Sequence, residues 1–157
     1  MPTRTVTLTY HELALSELPA AHRELCTSAR AATSLAYAPY SRFRVGCAAK
    51  LQGVNELVTA ANLENAAYPQ CICAEAGLLA QIQHRYPGAV IRQIAIAVEG
   101  EGATADGAGP CGSCRQQLFE AESRQGGQAI ELTLVGNAGR VRVLERCGDL
   151  LPLGFRF

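Results

Sequence analysis

The sequence predicts an α/β fold: a three-layer α/β/α sandwich built on a mixed five-stranded sheet. Three observations carry this. The elements run helix, two strands, helix, strand, helix, two strands, an alternation that layers helices over a sheet. One strand, "IRQIAIAV" (91–98), ends in an apolar run suited to burial on both faces. Two of the helices open on cysteines, and the one after Cys73 then turns apolar.

The elements follow in order. The start, "MPTRTVTLTYHEL", alternates Thr with apolar residues and is assigned to no element. Residues 19–37 read as a helix, with Pro19 in the first turn and Leu25, Ala29, Ala32 and Leu35 at helical period. "APYS" (38–41) breaks it. Segments 44–51 and 56–63 flank Gln-Gly-Val-Asn and form a hairpin. A second helix spans about Cys73 to Tyr86, where Pro87-Gly88 ends it. After the strand at 91–98, "EGEGATADGAG" (99–109) is a loop. It lacks the Lys of a phosphate cradle and carries three carboxylates, so it is not read as one. A third helix covers about Cys111 to Ser123, and two strands around Asn137-Ala138-Gly139 close the chain.

With 157 residues, the chain suits one domain, 1–157, with a single sizeable core. Fourteen basic and fourteen acidic residues cancel, so nothing electrostatic favours a polyanionic partner. No run approaches the ~18 apolar residues of a membrane span, and the start has no signal-peptide core. The expected location is the cytoplasm. There, seven cysteines point to metal binding rather than disulfides.

Cys111-x-x-Cys114 alone fits a redox pair, half a structural zinc site or two buried thiols. Cys73 opens another helix upstream, and no second CxxC exists. Three thiolates with one position left over is the pattern of catalytic zinc. Cys111 and Cys114 share a helix face. Cys73 and Glu75 can act together only if the site lies beyond a helix N-terminus, where two helix ends would favour ionised thiolates. Glu75 then has two readings. It is either a carboxylate favouring the helix dipole or, beside three zinc-competent cysteines, a general base and acid.

With "CAE" and "PCGSCR" quoted, the chain resembles the cytidine deaminase family in its small, three-cysteine, homotetrameric form. "AYAPYSRFRVG" (36–46), "NLENAAYP" (62–69) and "LLPLGF" (150–155) extend the resemblance over most of residues 36–155. It implies hydrolytic deamination of cytidine or deoxycytidine in a homotetramer with shared active sites. Cys73, Cys111 and Cys114 would ligate one zinc per subunit, and Glu75 would shuttle protons. Asn62 and Glu64 would bind the ribose hydroxyls, and Phe43 would line the nucleoside pocket. The Ala74 N–H and Gly109 carbonyl would meet the base O2 and the departing ammonia. Phe155 would pack on the base in a neighbouring subunit's site. Arg115 would balance the thiolate charge, while Tyr40 and Tyr68 are structural.

The chain departs from the family pattern at Ala76, where three-cysteine members carry Arg. Fewer cations near the thiolates would make the zinc a weaker Lewis acid unless Arg42 or Arg44 folds in. The same absence favours a second reading, a nucleoside-analogue deaminase resembling blasticidin S deaminase. The intact "NLEN" opposes it. Cys71, Cys26, Cys47 and Cys147 are read as apolar thiols. A polynucleotide editor is disfavoured by neutral charge and the absence of Trp.

Overall fold

The computed structural model describes residues 1–100 and 103–155. The strands are β1 (His11–Ala14), β2 (Phe43–Leu51), β3 (Val58–Ala61), β4 (Ile91–Gly100), β5 (Glu131–Val135) and β6 (Arg140–Leu144). The helices are α1 (Ala20–Ala32), α2 (Ala74–Arg85) and α3 (Gly112–Arg124). One sheet runs β1-β6-β5-β4-β2-β3. It is mixed, as expected: β4 and β5 pair parallel and every other pair is antiparallel.

The count of five strands is corrected to six. The addition is β1, which pairs with β6 from His11↔Val143 to Ala14↔Arg140. "HELA" carries no β signal of its own, and neighbouring β6 supplies the ladder. The helix read to residue 37 ends at Ala32 and tightens into a 3-10 turn at Thr33–Leu35. Glu99 and Gly100, read as loop, finish β4; residues 101–102 of that loop lie outside the described residues. Among the described residues, no helix is long and apolar enough to cross a membrane.

The two faces of the sheet differ in side-chain size, which sets what each can accept. Ala48, Ala95 and Ala97 face α1 together with Val135, Val141 and Val143. These small residues let α1 settle close. At Gly46 a Cβ would come within 2.2 Å of the Ala29 carbonyl oxygen, so only glycine fits. The other face presents Ile94, Ile96, Leu132 and Leu134 to Leu78 and Ile82 of α2 and Leu118 of α3. β4 is thus covered on both sides, which its apolar run required.

α3 is anchored at its far end by a buried carboxylate. Glu122, 4% exposed, accepts from Arg146 Nη2 and from the Ile130 N–H at 3.1 Å. Removing it strands a buried donor and half of an ion pair whose Arg is partly solvated. Glu122→Ala is expected to cost about 3 kcal/mol and to lower the melting temperature by roughly 6–12 °C. Thermal unfolding of the two chains checks this.

Candidate metal centre and active site

α2 and α3 start at the same place in the fold. Cys73 immediately precedes α2 and Cys111 immediately precedes α3, each with extended backbone. Cys114 lies one turn into α3 and is buried. The three sulfurs lie within 4.8 Å of one another. The helix ends therefore assemble the triad that the two separate motifs suggested.

The chemistry of this donor set favours a cation at its centre. The Cys114 N–H, aimed at the Cys111 sulfur, holds that thiol below its ordinary range. Burial pushes Cys73 and Cys114 up, and the neighbouring Glu75 raises both further. Three sulfurs this close repel one another as anions, so all can ionise together only around positive charge. Soft thiolates in a compact trio fit zinc. Cys71 is outside the trio: its sulfur accepts the Asn65 N–H at 3.2 Å. Cys26, Cys47 and Cys147 are buried free thiols, in keeping with the apolar reading.

Glu75 occupies the first turn of α2 and is 5% exposed. Burial raises its pKa, partly offset by its own N–H and by the Cys114 thiol, both hydrogen-bonded to the carboxylate. It is not a solvated residue decorating a helix end. It lines a cavity of about 320 Å³ with Cys73, Cys111, Phe43, Asn62 and Glu64. Ala74 and Gly109 also line it, and Ile96 and Val98 of β4 form an apolar wall.

The cavity mouth is built by a clamp that ties two segments together. Segment 62–64 bridges to Tyr37 on one side and Ile72 on the other. From there Asn62 reaches β2: its Oδ1 accepts the Val45 N–H at 2.8 Å and its Nδ2 donates to the Phe43 carbonyl at 3.0 Å. Glu64 accepts the Tyr40 N–H at 2.9 Å, the Ser41 N–H at 3.3 Å and the Ser41 hydroxyl. The Ser41 hydroxyl, foremost, holds the Glu64 carboxyl below its usual range. Ser41 Oγ in turn accepts the Phe43 N–H at 3.0 Å. Sequence reasoning passed over Ser41, although it stands inside the quoted "APYSRF".

Not every expected residue is at the cavity. Phe155 lies over the groove between α2 and α3, where its carbonyl accepts from Gln116 Nε2 at 3.1 Å. Ala76 lines that same groove and is not among the residues lining the cavity. Arg42 and Arg44 are exposed and do not line the cavity. Arg115 donates through Nε to the Pro110 carbonyl at 2.9 Å and through Nη1 to the Leu150 carbonyl at 3.3 Å. It thereby holds the turn that leads into Cys111.

Residues 19–125 match the family described as "Cytidine and deoxycytidylate deaminase zinc-binding region". The chain belongs to this family. A cytidine deaminase of Mycobacterium tuberculosis (strain H37Rv) is 38% identical over 129 residues, covering 82% of this chain and 84% of the relative. One from Halalkalibacterium halodurans is 41% identical over 85 residues, 54% of this chain and 60% of that one. Among solved structures, the cytidine deaminase of Burkholderia pseudomallei superposes with a TM-score of 0.73 at 37% identity, covering 85% of this chain and 98% of its own. That of M. tuberculosis gives 0.66 at 33% identity, with 87% and 98% covered. The sandwich and its sulfur trio are thus those of a zinc deaminase, and zinc is the metal the family assigns to it.

Proposed function

We propose that this protein hydrolyses cytidine and deoxycytidine to uridine or deoxyuridine and ammonia. The observation that carries the reading is the buried Glu75 carboxylate beside three convergent sulfurs on the wall of one cavity. Cys73, Cys111 and Cys114 would hold the zinc, which when bound supplies Lewis acidity and makes water a nucleophile near neutral pH. Glu75 takes a proton from that water and delivers it to N3 of the base; it then carries the second proton to the departing amino group. Burial raises its pKa above that of a free carboxylate, which makes it a stronger base than a solvated acid's anion and suits it to carry a proton from water to the base. One water is consumed and one ammonia leaves.

Phe43 lines the nucleoside cavity, and the Ala74 N–H and Gly109 carbonyl meet O2 and the ammonia. Asn62 and Glu64 take the sugar hydroxyls through the donor and lone pairs left over from the clamp. Arg115 offsets thiolate charge from its place beneath the 109–111 turn. The cavity lining contains Glu64 and Glu75 and, among the described residues, no Lys or Arg. A phosphate would meet only negative charge there, which favours nucleosides over nucleotides within a family that spans both.

The homotetramer belongs to this proposal. Tyr37, Tyr40, Leu63, Tyr68 and Ile72 are exposed around the cavity mouth, an apolar rim that suits another subunit. Phe155 lies away from its own cavity, as a residue serving a neighbour's site would. A cytoplasmic enzyme of pyrimidine salvage is the setting that fits this substrate class.

Ala76 keeps the analogue-deaminase reading as the second one. Ammonia release from cytidine, deoxycytidine, deoxycytidylate and blasticidin S tests both. Turnover of the first two well above the others is expected. Blasticidin S as the best substrate would overturn the leading reading. Ser41→Ala is expected to raise KM for cytidine about tenfold with kcat changed far less, because it loosens a sugar ligand and not the proton path. Steady-state kinetics check the split.

A further inference from the structure

The family match begins at residue 19, and nothing in the deaminase reading uses the chain before it. That segment is strand-like without being paired. Thr5–Tyr10, "TVTLTY", alternates with period two and is rich in β-forming residues. It runs straight into β1, the edge of the sheet. Among the described residues, the backbone of Thr5–Thr9 makes no hydrogen bond. Val6, Leu8 and Tyr10 stay 65%, 43% and 44% exposed. Six uncharged residues of this kind, with no Pro or Gly, extending an open edge are an aggregation hazard unless something covers them.

The pattern around the segment says what covers it. Arg4, Val6, Leu8, Tyr10 and Glu12 fall on one face of a strand. Laid antiparallel on itself about Leu8, the segment is self-complementary. Arg4 then stands opposite Glu12, Val6 opposite Tyr10, Thr7 opposite Thr9, and Leu8 opposite itself. Opposite charges, aromatic with β-branched, and Thr with Thr are favourable cross-strand pairs. Glu12 is already held in place by Arg142 Nε at 2.7 Å, and Tyr10 by the Arg142 guanidinium 5.7 Å from its ring centroid.

We propose that residues 4–12 pair antiparallel with the same residues of a second copy of this chain, across a twofold axis at Leu8. The contact is isologous and joins two sheets through the segments that extend their β1 edges. A nine-residue ribbon is smaller than the ~1,600 Å² of a typical stable interface, so it reinforces an assembly held elsewhere as well. It requires self-association but not the deaminase chemistry, and its test reads no activity.

Full-length, zinc-loaded protein carrying Leu8→Cys is mildly oxidised, with the parent chain and Thr9→Cys as controls. Opposed residues lie about 4.5–5.5 Å apart at Cα, within disulfide reach. Leu8→Cys is expected to give a disulfide-linked pair at least fivefold above both controls. Val6→Cys mixed with Tyr10→Cys is expected to cross-link, and either alone is not. No linked pair from Leu8→Cys, or equal yields from Leu8→Cys and Thr9→Cys, would overturn the pairing. Amide exchange on the unmodified chain provides a second reading. Residues 5–10 are expected to be protected at least tenfold and to lose that protection in Thr7→Pro. Exchange at free-chain rates in the unmodified protein would refute the proposal.

Discussion

Glu75→Gln is expected to lower kcat for cytidine by about 10²–10⁴-fold, the usual range for losing a positioned proton carrier, while zinc stays at one per chain. The amide keeps the size of the carboxylate and one accepting oxygen in a site that is 5% exposed, so the fold should tolerate it. It cannot take a proton from water or give one to N3. Kinetics and metal content measured on the same sample check the pair of outcomes. A variant that loses metal along with activity would mean that Glu75 serves the sulfur trio rather than the proton path.

Cys114→Ser acts on the other half of the site. Cys114 is the buried member of the trio, and serine replaces a soft thiolate by a hydroxyl that zinc holds poorly. Zinc is expected to fall below about a tenth per chain and deamination to background, because two remaining thiols are not a site of the catalytic kind. Cys71→Ser is expected to leave the zinc content unchanged, since Cys71 bonds to Asn65 and stands outside the trio. Metal analysis of the two variants separates a cysteine of the trio from one that stands two residues before Cys73 in the sequence.

The site was legible in the sequence where chemistry and helix boundaries coincide. Cys73 and Cys111 each immediately precede a helix, so a site at two helix ends was readable from local pattern. β4 was legible because a strand buried on both faces must be apolar on both. β1 was not: "HELA" is a strand only because β6 offers a ladder far along the chain, from His11↔Val143 to Ala14↔Arg140. Nor was the clamp at the cavity mouth. Asn62 and Glu64 were singled out as sugar ligands from motif resemblance, yet the structure also engages them with the backbone of residues 40–45. A side chain that holds a loop and a side chain that faces a ligand look identical in one dimension. Ser41, which orients Glu64, was missed for the same reason. Ala76 shows the converse: a residue the sequence places directly after Glu75 lies, in the fold, in the α2–α3 groove rather than at the cavity.

The central claim is that three sulfurs, and only three, hold the metal. X-ray absorption at the zinc edge of the purified protein tests it most directly. The account predicts three sulfur neighbours at about 2.3 Å and one light-atom neighbour. A fourth sulfur, or fewer than three, would contradict it.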